Sequence, residues 1–331
     1  MEGECILKYL FYFIKKSTTV LCLLIIFVIV LSNTSEAAVN NDDSKLKMSF
    51  AVISDIHDDT IKLDDALRDL NNIDPNYRAV VLNGDIVNQG LQSQYDDISN
   101  LLKRDKDILP ENVIKNIGNH EYYDYVHGAK GNCKAKCLLN RFLNFANRSN
   151  PYFDSWINGY HFISLGSEKT YTPEMDNNVQ AFLSDTQLDW LKQELANKYI
   201  KGKPIFVFLH QTLDNSVIGS TVFPNAIKQD RLLRAILSKY PEAVFFTSHT
   251  HHYLNVPGNF VKQNFAIIDS SSVHRPIRYD QNNNEIDVAG KSQGVFVKVY
   301  NDKVVLKGRE FSNNTWIDGA NYVISLNFLR K

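Results

Sequence analysis

An α/β protein built on two packed sheets is the fold class this sequence predicts, and three observations point to it. Short apolar runs alternate with stretches of helical periodicity from Met48 to Thr247. Beyond Asn264 the helical pattern disappears and strand-like runs follow one another. Several of the apolar runs stop at a polar cluster, as strands of an open α/β sheet do where they meet a ligand.

In order along the chain, Met48–Ser54 (MSFAVIS) reads as a buried strand. Ile61–Leu70 sets Ile61, Leu63, Ala66, Leu67 and Leu70 at helical spacing. Ala79–Leu82 is strand-like and ends at Asn83-Gly84-Asp85; a helix near Tyr95–Leu102 leads to the strand Val113–Ile117, which ends at Gly118-Asn119-His120. Tyr160–Leu165 is the next strand, and Ser184–Tyr199 is an amphipathic helix with Ser184 as its cap. Pro204–Leu209 ends at His210, Ile227–Tyr240 is helical, and Ala243–Thr247 ends at Ser248-His249. Phe265–Asp269, Gly294–Tyr300 and Lys303–Phe311 are strands; Ser312–Lys331 is expected only to close the fold, with Trp316 and Tyr322 packing.

The 331 residues carry 36 Lys and Arg against 37 Asp and Glu, with no basic stripe, which argues against specific nucleic-acid binding. Residues 1–38 hold Lys15 and Lys16, an apolar run from Val20 to Leu31, and a small-residue exit at Ser35-Glu36-Ala37-Ala38. That is the pattern of a signal peptide. The run is short for a spanning helix, which needs roughly 20 apolar residues, yet the apolar patch Tyr9–Ile14 leaves an uncleaved anchor open. Either way the chain is expected to be secreted or tethered at the cell surface, meeting a membrane only through this segment. Residues 39–47 read as a linker and 48–331 as one large domain. Oligomeric state is not legible. Cys133 and Cys137 are expected to form a small disulfide outside the cell, with a metal clip as the alternative.

Five polar blocks follow five strands: Asp55-Ile56-His57, Gly84-Asp85, Gly118-Asn119-His120-Glu121, His210, and His249-Thr250-His251. In this order they resemble the signature of the calcineurin-like metallophosphoesterase superfamily, nearest in style to its bacterial secreted phosphohydrolase and phosphodiesterase branch. The resemblance implies a four-layer α/β/β/α sandwich of two mixed β-sheets flanked by helices. It also implies a hydrolase of phosphate esters with two divalent ions, Mn2+, Fe2+/Fe3+ or Zn2+. Asp55, His57 and His251 would hold the first ion, Asn119, His210 and His249 the second, and Asp85 would bridge them. Imidazole with oxygen donors and no thiolate fits such ions. By the same resemblance a hydroxide bridging the metals attacks phosphorus, His120 is the general acid, and Asp85 belongs to the catalytic set. Glu121 would orient the loop or His120.

For the substrate, the segment Gly84-Asp85-Ile86-Val87-Asn88-Gln89-Gly90 resembles the diesterase branches and lacks the arginine suited to a monoester dianion. A small, nucleotide-like phosphodiester is therefore expected; a monoesterase or nucleotidase, or a scaffold that kept the fold without the chemistry, are the alternatives. Candidate substrate contacts are Asn88, Asn119, His120, Tyr123 and His127. The tyrosine-rich stretch Tyr122–Lys130 would stack a base or hold phosphate, or else pack an insert. Ser248 stands where the family has glycine, so strain is expected if that position has positive φ. His252 is expected to turn away, because alternate residues share a side of an extended segment. His161 and His274 are expected to be structural or surface residues.

Overall fold

The structure is a computed structural model that describes residues 45–126, 133–169, 179–221, 226–280, 284–287 and 290–326. The signal or anchor segment and His127 lie outside the described residues. Leu46–Lys331 form one compact unit, which carries both sheets.

The first sheet carries parallel β1 (Leu46–Ile53), β2 (Ala79–Asn83) and β3 (Asn112–Asn116). The second sheet holds β4 (Phe153–Ile157), β5 (Tyr160–Ser164), β6 (Ile205–Phe208), β7 (Ala243–Thr247), β8 (Phe260–Lys262) and β9 (Ala266–Asp269), in the order β4-β5-β6-β7-β9-β8. In it, β5, β6, β7 and β9 run parallel while β4 and β8 are antiparallel edges. The hairpin β10 (Ile277–Tyr279) and β11 (Glu285–Asp287) stands apart. Antiparallel β12 (Gln293–Tyr300), β13 (Lys303–Glu310) and β14 (Thr315–Ser325) then return to the first sheet, giving β14-β13-β12-β1-β2-β3.

Alternation along these strands sends one face to each of two cores. Phe50 and Val52 of β1 point between the sheets, where Phe50 meets Phe162 and Phe206 edge-on at 4.9 and 4.8 Å. Ala51 and Ile53 point the other way, toward α1 (Thr60–Ile73), α2 (Gln92–Arg104) and, beyond the short α3 (Tyr123–Val126), α4 (Ala135–Ala146). The second sheet's outer face is covered by α5 (Asp185–Ala196) and α6 (Asp230–Leu237). Helix, sheet, sheet, helix is the layering that the resemblance implied.

Local chemistry explains the helix starts. Asp59 Oδ1 accepts from Lys62 N at the head of α1, and Ser184 Oγ accepts from Gln187 N at the head of α5, the cap the sequence indicated. Cys133 and Cys137 are disulfide-bonded at the entry to α4, in line with expectation. Besides the short β4, β8, β10, β11 and α3, two long elements were not foreseen. One is α4, whose Leu138, Phe142 and Leu143 pack into the helix-side core. The other is β14, where Gly319 at φ +81° and a register shift against β13 break the alternation that would betray a strand.

Candidate metal centre

The parallel strands of both sheets deliver the five polar blocks to one edge. Asp55 and His57 follow β1, Asp85 follows β2, Asn119 and His120 follow β3, His210 follows β6, and His249 and His251 follow β7. Three groups of donor atoms form there: Asp55, His57 and His251; Asp85, His210 and His249; and His57, Asp85 and His120, with the atoms of each group within 4.8 Å of one another. Asp85 and His57 each belong to two groups. The predicted ligands are therefore brought together as two neighbouring clusters linked through Asp85.

The backbone is bent to do this. Asp55, His57, Asp85, His249 and His251 all have left-handed φ, between 48° and 73°. For residues with a Cβ such a conformation costs of order 1 kcal/mol or more each and persists where the surroundings enforce it. Gly84 has φ +89°, and a Cβ there would stand 2.6 Å from the His210 ring. A Cβ on Gly118 would stand 2.2 Å from Asp85 Oδ1. Both glycines let backbone approach a ligand side chain too closely for any other residue.

Carbonyl groups fix which imidazole nitrogen faces the centre. His210 Nδ1 donates to Asn83 O at 2.9 Å, and His251 Nδ1 donates to Arg275 O at 3.0 Å. A carbonyl only accepts, so each Nδ1 bears a proton and each Nε2 is the nitrogen left to serve as a ligand. His57 Nε2 then faces His251 Nε2 at 3.3 Å. His210 Nε2 lies 3.1 Å from Asp85 Oδ2, yet it makes no hydrogen bond; nor does Asp55 Oδ1 or Asn119 Oδ1, all of them buried. Buried polar atoms without hydrogen bonds are costly, and these converge on shared points as ligands do. The donor set fits two divalent ions.

Without the ions, charge divides the rings, and His210 and His251 share protons with the carboxylates that metal binding would displace. Burial drives His57 and His249 down to about 3, so both are neutral ligand-ready rings. Burial would also lower His210, but Asp85 and Asp55 beside it reverse this and raise it to about 10. Burial works to raise Asp55, and His251 and His210 overcome it, leaving this carboxyl at about 2. Asp85 lies well below its ordinary value: burial opposes the shift, and His210 and His120 impose it.

Around these clusters the remaining expectations sort themselves. His120 packs edge-on against His57 at 4.4 Å and stacks on Tyr123 at 3.8 Å. Its Nδ1 donates to Asn88 O at 2.8 Å, and its Nε2 stands 3.9 Å from Asp85 Oδ2. Asn88 thus touches His120 through its carbonyl, while its side chain is exposed. Tyr123 Oη accepts from Asn119 Nδ2 at 2.9 Å, which turns Asn119 Oδ1 toward the cluster. The Glu121 side chain makes no hydrogen bond to His120 among the described residues and serves the loop instead. Its buried carboxylate accepts from Gly118 N, Ile86 N and Asp85 N at 2.6, 2.8 and 3.2 Å, so it clamps the two loops that carry Asp85 and Asn119.

Ser248 is not at positive φ; the left-handed residue is His249. No backbone strain falls on the serine. Its buried Oγ accepts from Asn83 Nδ2 at 2.8 Å and meets Ser270 Oγ at 3.0 Å, tying the first sheet to the second beneath the site. His252 does turn away, its Nδ1 on Thr250 O at 2.9 Å, but not for the reason expected. The segment is not extended: left-handed turns at His249 and His251 aim the two rings at different clusters. His161 is structural, bonded to Asp154 at 2.9 Å and stacked under Trp156. His274 is at the surface, its side chain 43% exposed and its Nδ1 on Asp59 Oδ2 at 3.0 Å, and its ring stands 5.7 Å from that of His57 at the rim of the centre.

The calcineurin-like phosphoesterase family profile matches residues 48–253. Similar solved structures include a dimetal phosphatase from Danio rerio, at 15% identity and TM-score 0.57, covering 85% of this chain and 100% of that one. Purple acid phosphatase PPD1 from yellow lupin is similar at 14% identity and TM-score 0.57, over 86% of this chain and 54% of its own, longer chain. GAP50, the anchor in the inner membrane complex of Plasmodium, follows at 13% identity and TM-score 0.56, over 85% of this chain and 89% of its own. At such identities the likeness is one of fold. No curated protein matches the sequence. The profile match spans both donor clusters, and the chain belongs to the calcineurin-like phosphoesterase family of phosphoric ester hydrolases.

Proposed function

We propose that the chain is a dinuclear metal-dependent phosphodiesterase acting on small, nucleotide-like esters. Asp55, His57 and His251 would hold one divalent ion and Asn119, His210 and His249 the other, with Asp85 as the carboxylate they would share. The observation that supports this most is Asp85's place between two clusters of closely spaced imidazole and carboxylate donor atoms. Imidazole with oxygen donors suits Mn2+, Fe2+/Fe3+ or Zn2+. Such a pair, when bound, supplies an activated water and positive charge for the phosphate oxygens.

The chain's own groups do the rest. His120, protonated at Nε2, hands that proton to the leaving oxygen. Asn88 O keeps Nδ1 occupied, and Tyr123 stacked on the ring holds its plane. The amide of His120 donates to Asp85 Oδ1 at 2.9 Å, so the acid and the bridging carboxylate are fixed in one frame. Asn88, Asn119, His120 and Tyr123 are the proposed substrate contacts, with His127 beyond the described residues. Diester preference follows from the segment Ile86–Gly90, which offers no arginine to grip a monoester dianion. Secretion or surface tethering through residues 1–38 would place this activity outside the cell.

The test is turnover of bis-p-nitrophenyl phosphate beside p-nitrophenyl phosphate, with Mn2+ and after chelation. Metal-dependent turnover with the diester faster supports the proposal; a faster monoester moves the reading to a monoesterase. No turnover of either, with Asp85 and His120 intact, leaves the scaffold reading.

A further inference from the structure

His274 follows β9, and no sequence motif claims it. In the structure all its polar atoms but one are committed. Its amide donates to Asp55 O at 3.0 Å, and its carbonyl accepts from Lys62 Nζ. Its Nδ1 donates to Asp59 Oδ2 at 3.0 Å, and Asp59 is itself held at the head of α1 by Lys62 N. Only Nε2 makes no hydrogen bond among the described residues, and the side chain is 43% exposed. Both His120, from the β3 side, and His274, from the β9 side, pack on His57. The backbone link to Asp55 holds His274 in place beside a metal-ligand candidate.

We propose that His274, positioned by Asp59, is a substrate-binding residue that contacts the ester arm left on phosphorus, and that this arm bears a hydroxyl, as a sugar or glycerol does. The inference rests on the diester reading above. A diester has two arms. His120 attends the leaving one, and the second needs a contact elsewhere on the rim. Nε2 is the one polar atom of His274 left to meet a substrate, and a hydroxyl, which both donates and accepts, can pair with it.

Three substrates separate the possibilities. p-Nitrophenyl phosphate has one arm, bis-p-nitrophenyl phosphate has a second arm without hydroxyl, and thymidine 5′-p-nitrophenyl phosphate has a second arm with one. In the full chain, His274→Ala should raise KM for the thymidine ester about tenfold, the worth of one hydrogen bond, with kcat changed less than about twofold. KM for the other two, and competitive inhibition by inorganic phosphate, should stay as in the wild type. Asp59→Asn should raise the same KM by less, and His274→Gln should restore part of it. A uniform loss on all three substrates, or weakened phosphate inhibition, would show a structural role and overturn the inference, as would no change at all. A wild type that hydrolyses neither diester overturns the diester reading and this inference together. A wild type that hydrolyses both, with a silent His274→Ala, overturns this inference alone.

Discussion

The two donor clusters are built from the same residue types but differ in exposure. Asp85, His210 and His249 are all buried, whereas in the other cluster only Asp55 is fully so, the side chains of His57 and His251 being 8% and 19% exposed at the rim. The buried cluster lies above the seam of the two sheets, where Asn116, Asn83, Ser248, Ser270 and Ser54 run as a hydrogen-bonded chain. The rim cluster borders solvent and is flanked by His120 and His274. The difference divides the labour: one cluster is welded into the fold and fixes the centre, and the other is where substrate arrives. Substitutions in the first should cost metal and stability together, those of the rim ligands Asp55, His57 and His251 should cost metal with less stability, and replacing the flanking His120 should cost turnover with metal retained.

The largest effect should come from Asp85→Asn, which touches both clusters. Loss of the shared carboxylate should lower kcat/KM by about a thousandfold or more, read with bis-p-nitrophenyl phosphate at saturating Mn2+. His120→Ala should lower kcat by about 10²- to 10⁴-fold while elemental analysis finds the metal retained. Equal metal loss in both variants would erase the distinction between centre and rim. Glu121→Ala should leave the amides of Asp85, Ile86 and Gly118 without their acceptor. A cost of about 2–3 kcal/mol is expected, measured by denaturant unfolding, and an unchanged midpoint would show that the clamp is idle.

A smaller effect concerns acid. In metal-stripped protein His57 and His249 sit at about 3, below their ordinary value near 6.5. The unfolded chain then takes up protons that the folded chain refuses. The contribution of these two rings to stability should be full above about 6.5 and fall as pH drops from there toward 3, whereas that of His210, raised to about 10, is lost only as pH climbs toward that value. His249→Gln should flatten that slope in thermal unfolding, and an unaltered slope would mean that these rings do not set it. Smallest is Ser248→Gly. With no strain to relieve and a buried hydroxyl lost, it should destabilise by about 1 kcal/mol and not improve the site; a gain in stability would contradict the seam assigned to Ser248.

Much of this was legible in the sequence because strands and ligands follow simple rules. A buried strand is a run of apolar residues, and a ligand site sits where such runs end, so the five blocks and the inner strands of both sheets could be read, with the ligand roles supplied by the family resemblance. What escaped depended on long-range contacts. β14 carries glycine and polar residues on an exposed face at the sheet edge, and only pairing with β13 makes it a strand. Glu121 acts on the β2 loop through hydrogen bonds spanning 34 to 36 positions, which no local spacing reveals. His274 reaches His57 across more than two hundred positions, through a backbone bond to Asp55. For His252 the outcome was foreseen on the wrong premise, since left-handed turns, not an extended chain, separate the histidines.

The central claim is that one carboxylate, Asp85, holds two ions in one site. Metal content of the purified chain, measured by elemental analysis beside Asp85→Asn, tests it most directly. The account predicts about two ions per wild-type chain and a marked loss, with abolished turnover, in the variant. A wild type that holds no metal, or an Asp85→Asn chain that holds as much as the wild type, would contradict it.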